Sequence, residues 1–222
     1  MINEADLVVV GGGPGGMAAA LEAANFGASV ILLEADKQIG GNAARSTGYL
    51  AFQNFDMQAE EGVTDNAEIF VQDMVDEIAR QNEKYGITFD EDLAWLFSEE
   101  SSDTYTWLRD LGFEFNRFLP RPKQHSVKRM IDVKDTTMFT SLFEKALETA
   151  GVKVITETRV RRLLTLDESV VGVATDTDSY KAKKAVVLAT GGYQANPQIR
   201  IKYQPEVMAS TPYLGTEHDI GD

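Results

Sequence analysis

Asp6-Leu7-Val8-Val9-Val10-Gly11-Gly12-Gly13-Pro14-Gly15-Gly16 decides the fold. The apolar, β-branched run of 6–10 enters glycines directly, as a buried parallel strand does where it ends at a tight turn. From Pro14 to Phe26 the residues are small or apolar, which predicts a helix packed closely on a sheet and stopped by Gly27. Ser29 to Glu34 reads as a second buried strand, so strand, turn, helix and strand fill the roughly thirty residues of a βαβ unit. In such a turn Gly11 permits the sharp bend, Gly13 lets backbone approach a pyrophosphate, and Gly16 removes a side chain that would hold helix and strand apart. Pro14 and Gly15 sit at the helix start, whose amides and positive dipole end favour an anion. Glu34, followed by Ala35, falls about twenty residues on, where a carboxylate accepts from ribose hydroxyls. The turn predicts a dinucleotide site.

Two later stretches narrow the ligand. Gly40-Gly41-Asn42-Ala43-Ala44-Arg45-Ser46-Thr47-Gly48 supplies glycines and short polar side chains suited to wrapping a bulkier second group, although such a loop alone could be a surface turn. The strand Ala185-Val186-Val187-Leu188-Ala189 ends in Thr190-Gly191-Gly192, again backbone at the carboxyl end of a parallel strand. Turn, loop and strand end together fit an extended FAD.

The remaining chain reads as an α/β domain of 1–222 with a helical insertion at about 56–112. Helices are expected from about Thr64 to Tyr85, from Glu91 to Glu100 with Leu93, Leu96 and Phe97 inward, and from Ser102 to Leu111. A further helix, 135–150, would be capped by Asp135. Val152 to Thr156 reads as a third buried strand, followed by an antiparallel meander over 159–166, 170–175 and 180–183. Ala185–Ala189 is expected as a separate, fully buried strand, and Asn196-Pro197 as a helix start.

Composition excludes several classes. With no cysteine among 222 residues there is no disulfide, thiolate metal site or redox dithiol, and only His125 and His218 offer imidazole, so no metal is expected. A net charge of −14 argues against nucleic acid as a partner. No apolar run reaches the roughly 18 to 20 residues of a membrane span and no signal peptide is evident, so the expected location is cytoplasmic. Between Glu61 and Asp110 only Arg80, Lys84 and Arg109 oppose the acids; from Arg117 to Lys134 the sign reverses. Both blocks read as solvated surface, the basic one alternatively as a lure for an anionic substrate.

With these motifs in view, the chain resembles the N-terminal part of flavoproteins of the fumarate reductase and succinate dehydrogenase group, which includes soluble fumarate reductases, urocanate reductases and 3-ketosteroid dehydrogenases. Asp6–Glu34 resembles the group's FAD fingerprint, Gly40–Gly48 its flavin-wrapping loop, and Val186–Asn196 its strand-to-turn motif. The resemblance implies backbone contacts from Val160 to adenine, Ala189, Thr190 and Gly191 beside the adenosine, and Ser46, Thr47 and Gly48 near the isoalloxazine. Respiratory members attach FAD through a histidine whose place Asn42 takes, which implies noncovalent FAD. Tyr49 replaces a common glycine and is expected near the flavin or the substrate entrance. Gly221-Asp222 resembles the start of a Gly-Asp-Gly segment leading to a capping domain that is absent here. The resemblance therefore implies an N-terminal fragment whose catalytic residues lie beyond Asp222, from an enzyme moving hydride between flavin N5 and an activated carbon–carbon bond. Its substrate would be a small unsaturated acid or enone, with a possible electron-donor partner. Another FAD-dependent oxidoreductase class, or a non-catalytic flavin-binding fragment, are the alternatives.

Overall fold

The computed structural model describes residues 3–204 and 210–221. In chain order the elements are β1 (Asn3–Val10), α1 (Pro14–Asn25), β2 (Val30–Leu33), a 3-10 turn (Ala43–Arg45), β3 (Tyr49–Ala51), α2 (Asp56–Glu60), α3 (Ala67–Tyr85), α4 (Glu91–Asp110), β4 (Phe115–Leu119), β5 (Met130–Val133), α5 (Met138–Thr149), β6 (Lys153–Ile155), β7 (Arg162–Leu166), β8 (Ser169–Ala174), β9 (Ser179–Leu188) and α6 (Pro197–Tyr203). They form two compact units, Met1–Ser46 with Thr136–Asp222, and Thr47–Asp135.

The first unit is built on a six-stranded sheet of order β6-β2-β1-β9-β8-β7. Parallel pairing aligns Val10 with Leu33 and with Leu188, so three strand ends lie side by side at one edge. Alternation along the strands divides the core. Val8, Val10, Ile31 and Leu33 cluster with Val173 and Tyr180. Helix α1, packed on β1, β2 and α5, buries Met17, Ala20 and Leu21.

Several expectations change in this unit. Residues 180–183 and 185–188 are one strand, β9, which pairs antiparallel with β8 at its start and parallel with β1 along its length. It is not fully buried: Ala185 and Leu188 are exposed and Val186 and Val187 half-buried, because an apolar run reports composition and not what covers it. β6 is an edge strand with Lys153 and Val154 exposed, paired only with β2 among the described residues. Helix α5 starts at Met138 with Thr137 at its cap and no capping side chain, so Asp135 does not cap it. Asn196 does cap α6, accepting from the Gln198 and Ile199 amides.

The second unit pairs α3 and α4 with an antiparallel sheet β3-β5-β4 that the sequence reading missed. Asn66 caps α3 and left-handed Gly86 ends it. α4 runs unbroken from Glu91 to Asp110, where two helices were expected. Ser101 does not interrupt it, since its hydroxyl donates to the Ser98 carbonyl at 2.9 Å. The buried stripe of α4 is Ala94, Ser98, Ser101, Tyr105 and Leu108. Leu93, Leu96 and Phe97 are instead 53–60% exposed. Phe52, Phe55, Tyr105, Phe115 and Phe118 form an aromatic core with mostly edge-to-face geometry.

A buried charge network holds this unit. Arg129 is 0% exposed; its Nε and Nη2 donate to the two Asp65 oxygens at 2.9 and 2.7 Å, and its Nη1 to Asp73 at 2.6 Å. The guanidinium lies 4.3 Å from the Phe70 ring centroid. Gln58 and the Ser126 amide satisfy further carboxylate lone pairs. So the acidic and basic blocks are not solvated surface throughout; at Arg129 they meet in the core.

Removing one partner of such a network leaves buried charge uncompensated, which costs about 3–5 kcal/mol. Arg129→Met is expected to lower unfolding stability by that amount in urea, read by the fluorescence of Trp95 and Trp107, both in α4; a loss under about 1 kcal/mol contradicts the network's role. Burial, and then the Asp56 carboxylate that accepts its hydroxyl at 2.5 Å, push Tyr105 up to about 12 against the pull of Arg109. Because the folded state holds this proton more tightly than the unfolded chain does, the stability it adds is whole below an ordinary tyrosine pKa of about 10 and is lost as pH rises toward 12. Ultraviolet titration of phenolate should show a tyrosine that ionises near pH 12, and Tyr105→Phe should remove one phenolate's worth of that step; an unchanged amplitude near pH 12 assigns it elsewhere.

Candidate functional site

The three aligned strand ends open into a cavity of about 610 Å³ within the first unit. It lies where β1 separates β2 on one side from β9 on the other, the switch point at which open α/β sheets bind ligands. The Gly11 amide donates to Leu33 O and the Ala189 amide to Val10 O, both at 2.8 Å, so the three chains stay tied as they leave the sheet.

At Gly11 the backbone is left-handed, with φ +103, and an added Cβ would stand 2.2 Å from Ala189 O. At Gly16 a Cβ would stand 1.9 Å from Gly11 O. Both glycines are demanded by the protein itself. Gly13 and Gly15 differ, because nothing lies within 4 Å of a Cβ built on either and both line the cavity. Their bareness is useful only to something that comes close from outside. Gly13 is the N-cap of α1 and Pro14 its first residue, so the next amides lack partners within the helix and face the cavity end of the dipole. Such an end favours an anion by roughly 0.3–1 kcal/mol when exposed and up to about 2 kcal/mol when partly buried.

Glu34 braces this turn. Its Oε2 accepts from the Gly12 amide at 2.6 Å and its Oε1 from the Asp36 amide at 2.7 Å, while the side chain lines the cavity nearly buried. Each oxygen keeps a second lone-pair direction for a hydroxyl donor. Asp36 is paired with Arg45 at 2.8 Å. Burial alone would raise its carboxyl, but the Lys37 amide and the Arg45 guanidinium outweigh that and hold it below the usual carboxylate range.

Of the residues singled out from sequence, Gly11, Gly13, Pro14, Gly15, Glu34, Ala35, Gly41, Asn42, Val160, Ala189, Thr190 and Gly191 line this one cavity. Gly16 packs beneath it. Ser46, exposed with its hydroxyl on the Ala43 carbonyl, does not line it. Thr47 and Gly48 begin the second unit, as does Tyr49, whose ring lies 6.0 Å from the guanidinium carbons of Arg117 and Arg121. Asp222, half of the Gly221-Asp222 resemblance, lies outside the described residues.

A whole wall of the cavity carries no motif. Thr158, Arg159, Arg161 and Arg162 line the cavity beside Val160, and Thr216, His218 and Asp219 face it from near the end of the chain. Arg159 Nη2 lies 2.6 Å from His218 Nδ1; since a guanidinium only donates, Nδ1 accepts and the ring proton sits on Nε2. Leu163 and Leu188, 40% and 58% exposed, give the cavity apolar surface that a flat ring would cover. Among the described residues no three His, Asp or Glu are grouped to hold a metal, and no helix is long and apolar enough to cross a membrane.

Residues 6–220 match the family described as FAD binding domain. The chain belongs to that family. FAD is its cofactor. The FAD binding domain is 32% identical over 238 residues to a urocanate reductase of Eggerthella lenta, covering 99% of this chain and 37% of that protein. Among solved structures it is similar to the open conformation of a flavocytochrome c3 fumarate reductase, with TM-score 0.84, 28% identity, 98% of this chain and 39% of that one. It is also similar to a 3-ketosteroid-Δ4-(5α)-dehydrogenase of Rhodococcus jostii, with TM-score 0.83, 25% identity, 98% of this chain and 52% of that one. These are the groups that the motifs resembled. The chain spans 22–40% of the length of the first curated relatives it matches.

The contrast among the glycines is testable. Gly15→Ala should leave the fold intact, adding up to about 1 kcal/mol of helix stability, and should weaken FAD binding at least tenfold by titration of flavin fluorescence. Gly11→Ala should destabilise the apoprotein itself. Equal FAD affinity in Gly15→Ala and the parent chain contradicts a close approach of ligand to α1.

Proposed function

We propose that the cavity of the first unit holds the ADP half of a noncovalent FAD, and that residues 1–222 are the FAD-binding domain of a larger oxidoreductase, with the helices of about 56–112 as an insertion in it. The carrying observation is the bare pair Gly13 and Gly15 at the start of α1, open to the cavity and without any need imposed by the protein. In this reading Gly11, Gly13, Pro14, Gly15 and Gly16 form the pyrophosphate turn. Glu34 and Ala35 meet the ribose, Val160 the adenine, and Ala189, Thr190 and Gly191 the adenosine side. Gly41 and Asn42 start the wrapping loop; Ser46, Thr47 and Gly48 are assigned to the flavin ring on resemblance alone. The three arginines beside Val160 add positive charge around an anionic ligand.

Noncovalent attachment is supported by the chemistry of Asn42. A carboxamide is a poor nucleophile, and here its oxygen accepts from the Thr216 amide at 2.9 Å while its nitrogen donates to Asp219 at 3.2 Å.

When bound, FAD supplies hydride chemistry at N5. The names of the relatives, a urocanate reductase and an NADH:fumarate oxidoreductase among them, support a small unsaturated acid or enone as the whole protein's substrate, reduced at an activated carbon–carbon bond with electrons from a separate donor. Cofactor binding falls to this chain, and no acid–base catalyst is assigned within it.

Purified chain mixed with FAD should quench flavin fluorescence, and heat or acid should release intact FAD with the protein mass unchanged. A folded chain that takes up NADPH and no FAD overturns the reading, and flavin that stays with the denatured protein overturns noncovalent attachment. For the enzyme class, the photoreduced full-length gene product should be reoxidised anaerobically by fumarate, urocanate or an enone; reoxidation by none of them contradicts that part.

A further inference from the structure

Two distant stretches of chain meet at the cavity wall through side chains. Asn42, in the loop after β2, accepts from the Thr216 amide and donates to Asp219 Oδ2, partners 174 and 177 residues away. Tyr213 Oη lies 2.7 Å from Asp219 Oδ2 and 3.0 Å from Asn42 Oδ1. With one proton to give, the hydroxyl donates to the stronger acceptor, the carboxylate, and fills the space against Asn42. Burial, and then this bond to Asp219, raise the Tyr213 hydroxyl above the ordinary tyrosine range, so it keeps its proton. Asp219, 3% exposed, also accepts from the Gly192 amide, and its own carbonyl accepts from the Ala195 amide at 2.8 Å.

The space for this cluster is kept open by glycine. A Cβ on Gly215 would stand 2.1 Å from Tyr213 Oη and 2.4 Å from Asn42 Oδ1, and one on Gly191 would stand 2.6 Å from Asp219 Oδ1. Asn42, Thr216 and Asp219 all line the cavity. The cluster therefore fastens two cavity walls together. Each wall also has backbone hydrogen bonds that the tie does not supply: Gly40 N–H reaches Gly12 O at 2.8 Å on one side, and Gly221 N–H reaches Gly192 O at 2.9 Å on the other.

We infer that Asn42, Tyr213 and Asp219 form a latch that sets how fast a bound dinucleotide enters and leaves the cavity. The inference rests on the FAD reading above and deepens it. A latch closed in both the free and the bound chain raises the barrier between them more than it shifts their equilibrium. Its loss accelerates release and uptake together, and affinity moves less than either rate. A group that simply touched FAD would change release and affinity in step, and a group that simply held the fold would lower apoprotein stability without quickening either rate.

The test is stopped-flow flavin fluorescence on the parent chain, Tyr213→Phe and Asp219→Asn, with apoprotein thermal melts alongside. Asp219→Asn keeps an acceptor for the Gly192 amide and places an amide group opposite the Asn42 and Tyr213 donors; Tyr213→Phe removes one hydroxyl and is the milder change. Losing hydrogen bonds to a carboxylate should raise the FAD release rate on the order of tenfold, raise the uptake rate in the same direction, and lower the apoprotein melt by a few degrees at most. Unchanged rates in both variants overturn the latch. So does faster release with unaltered uptake, or a melt that drops by roughly ten degrees or more. A parent chain that takes up no FAD overturns the cofactor reading, and the retention claim with it; a parent that binds FAD beside variants with parent-like rates overturns the latch alone.

Discussion

The site depends on one close approach, the carbonyl of Ala189 against Gly11. With 2.2 Å between that oxygen and where a Cβ would be, β1 can end beside β9 only if residue 11 has no side chain, and its φ of +103 turns the chain away at once. That turn then fixes the rest. α1 starts directly above the strand ends, Gly16 lets the helix settle onto the Gly11 carbonyl, and Glu34 at the end of the neighbouring strand reaches the Gly12 amide. A fully occupied set of local bonds thus leaves Gly13 and Gly15 as the bare part of the turn, which is the condition for an anion to approach backbone amides.

Charge in the second unit follows a different logic. The surrounding acidic block makes a lone cation worth little at the surface, but Arg129 is buried with two carboxylates, Gln58 and an aromatic face already arranged around it. Such a network specifies one packing, because any alternative would leave a buried ion without its partners. Another ion pair of the unit, the half-exposed Arg117 with the buried Asp132, ties β4 to β5 at 2.6 Å.

What could be read from sequence was what is local. Val8 to Gly16 announces itself because a buried parallel strand must be apolar along its length and its turn must be glycine, and Glu34 follows at a spacing set by one helix and one strand. Asn196-Pro197 was legible for the same reason. The β3-β5-β4 sheet was not: its strands are three to five residues long, and β3 pairs with β5 across about eighty positions, so no period betrays them. Nor was the inward face of α4, where Ser101 buries its hydroxyl between the Ser98 carbonyl and the Gln53 amide and inverts the usual rule of polarity. The far wall of the cavity, from Thr216 to Asp219, carries no local signature; its one trace is Gly215, whose need for space appears only once Tyr213 and Asn42 are in place.

If the amides at the start of α1 receive the phosphates of a bound nucleotide, amide chemical-shift mapping of the isotope-labelled chain with ADP, the half of FAD assigned to this cavity, should register it. Saturable shifts are expected, centred on Gly13, Gly15 and Gly16, with Val160 and Gly191 moving at the same ADP concentration. Shifts that leave the glycine turn still while ADP binds elsewhere would contradict phosphate binding there.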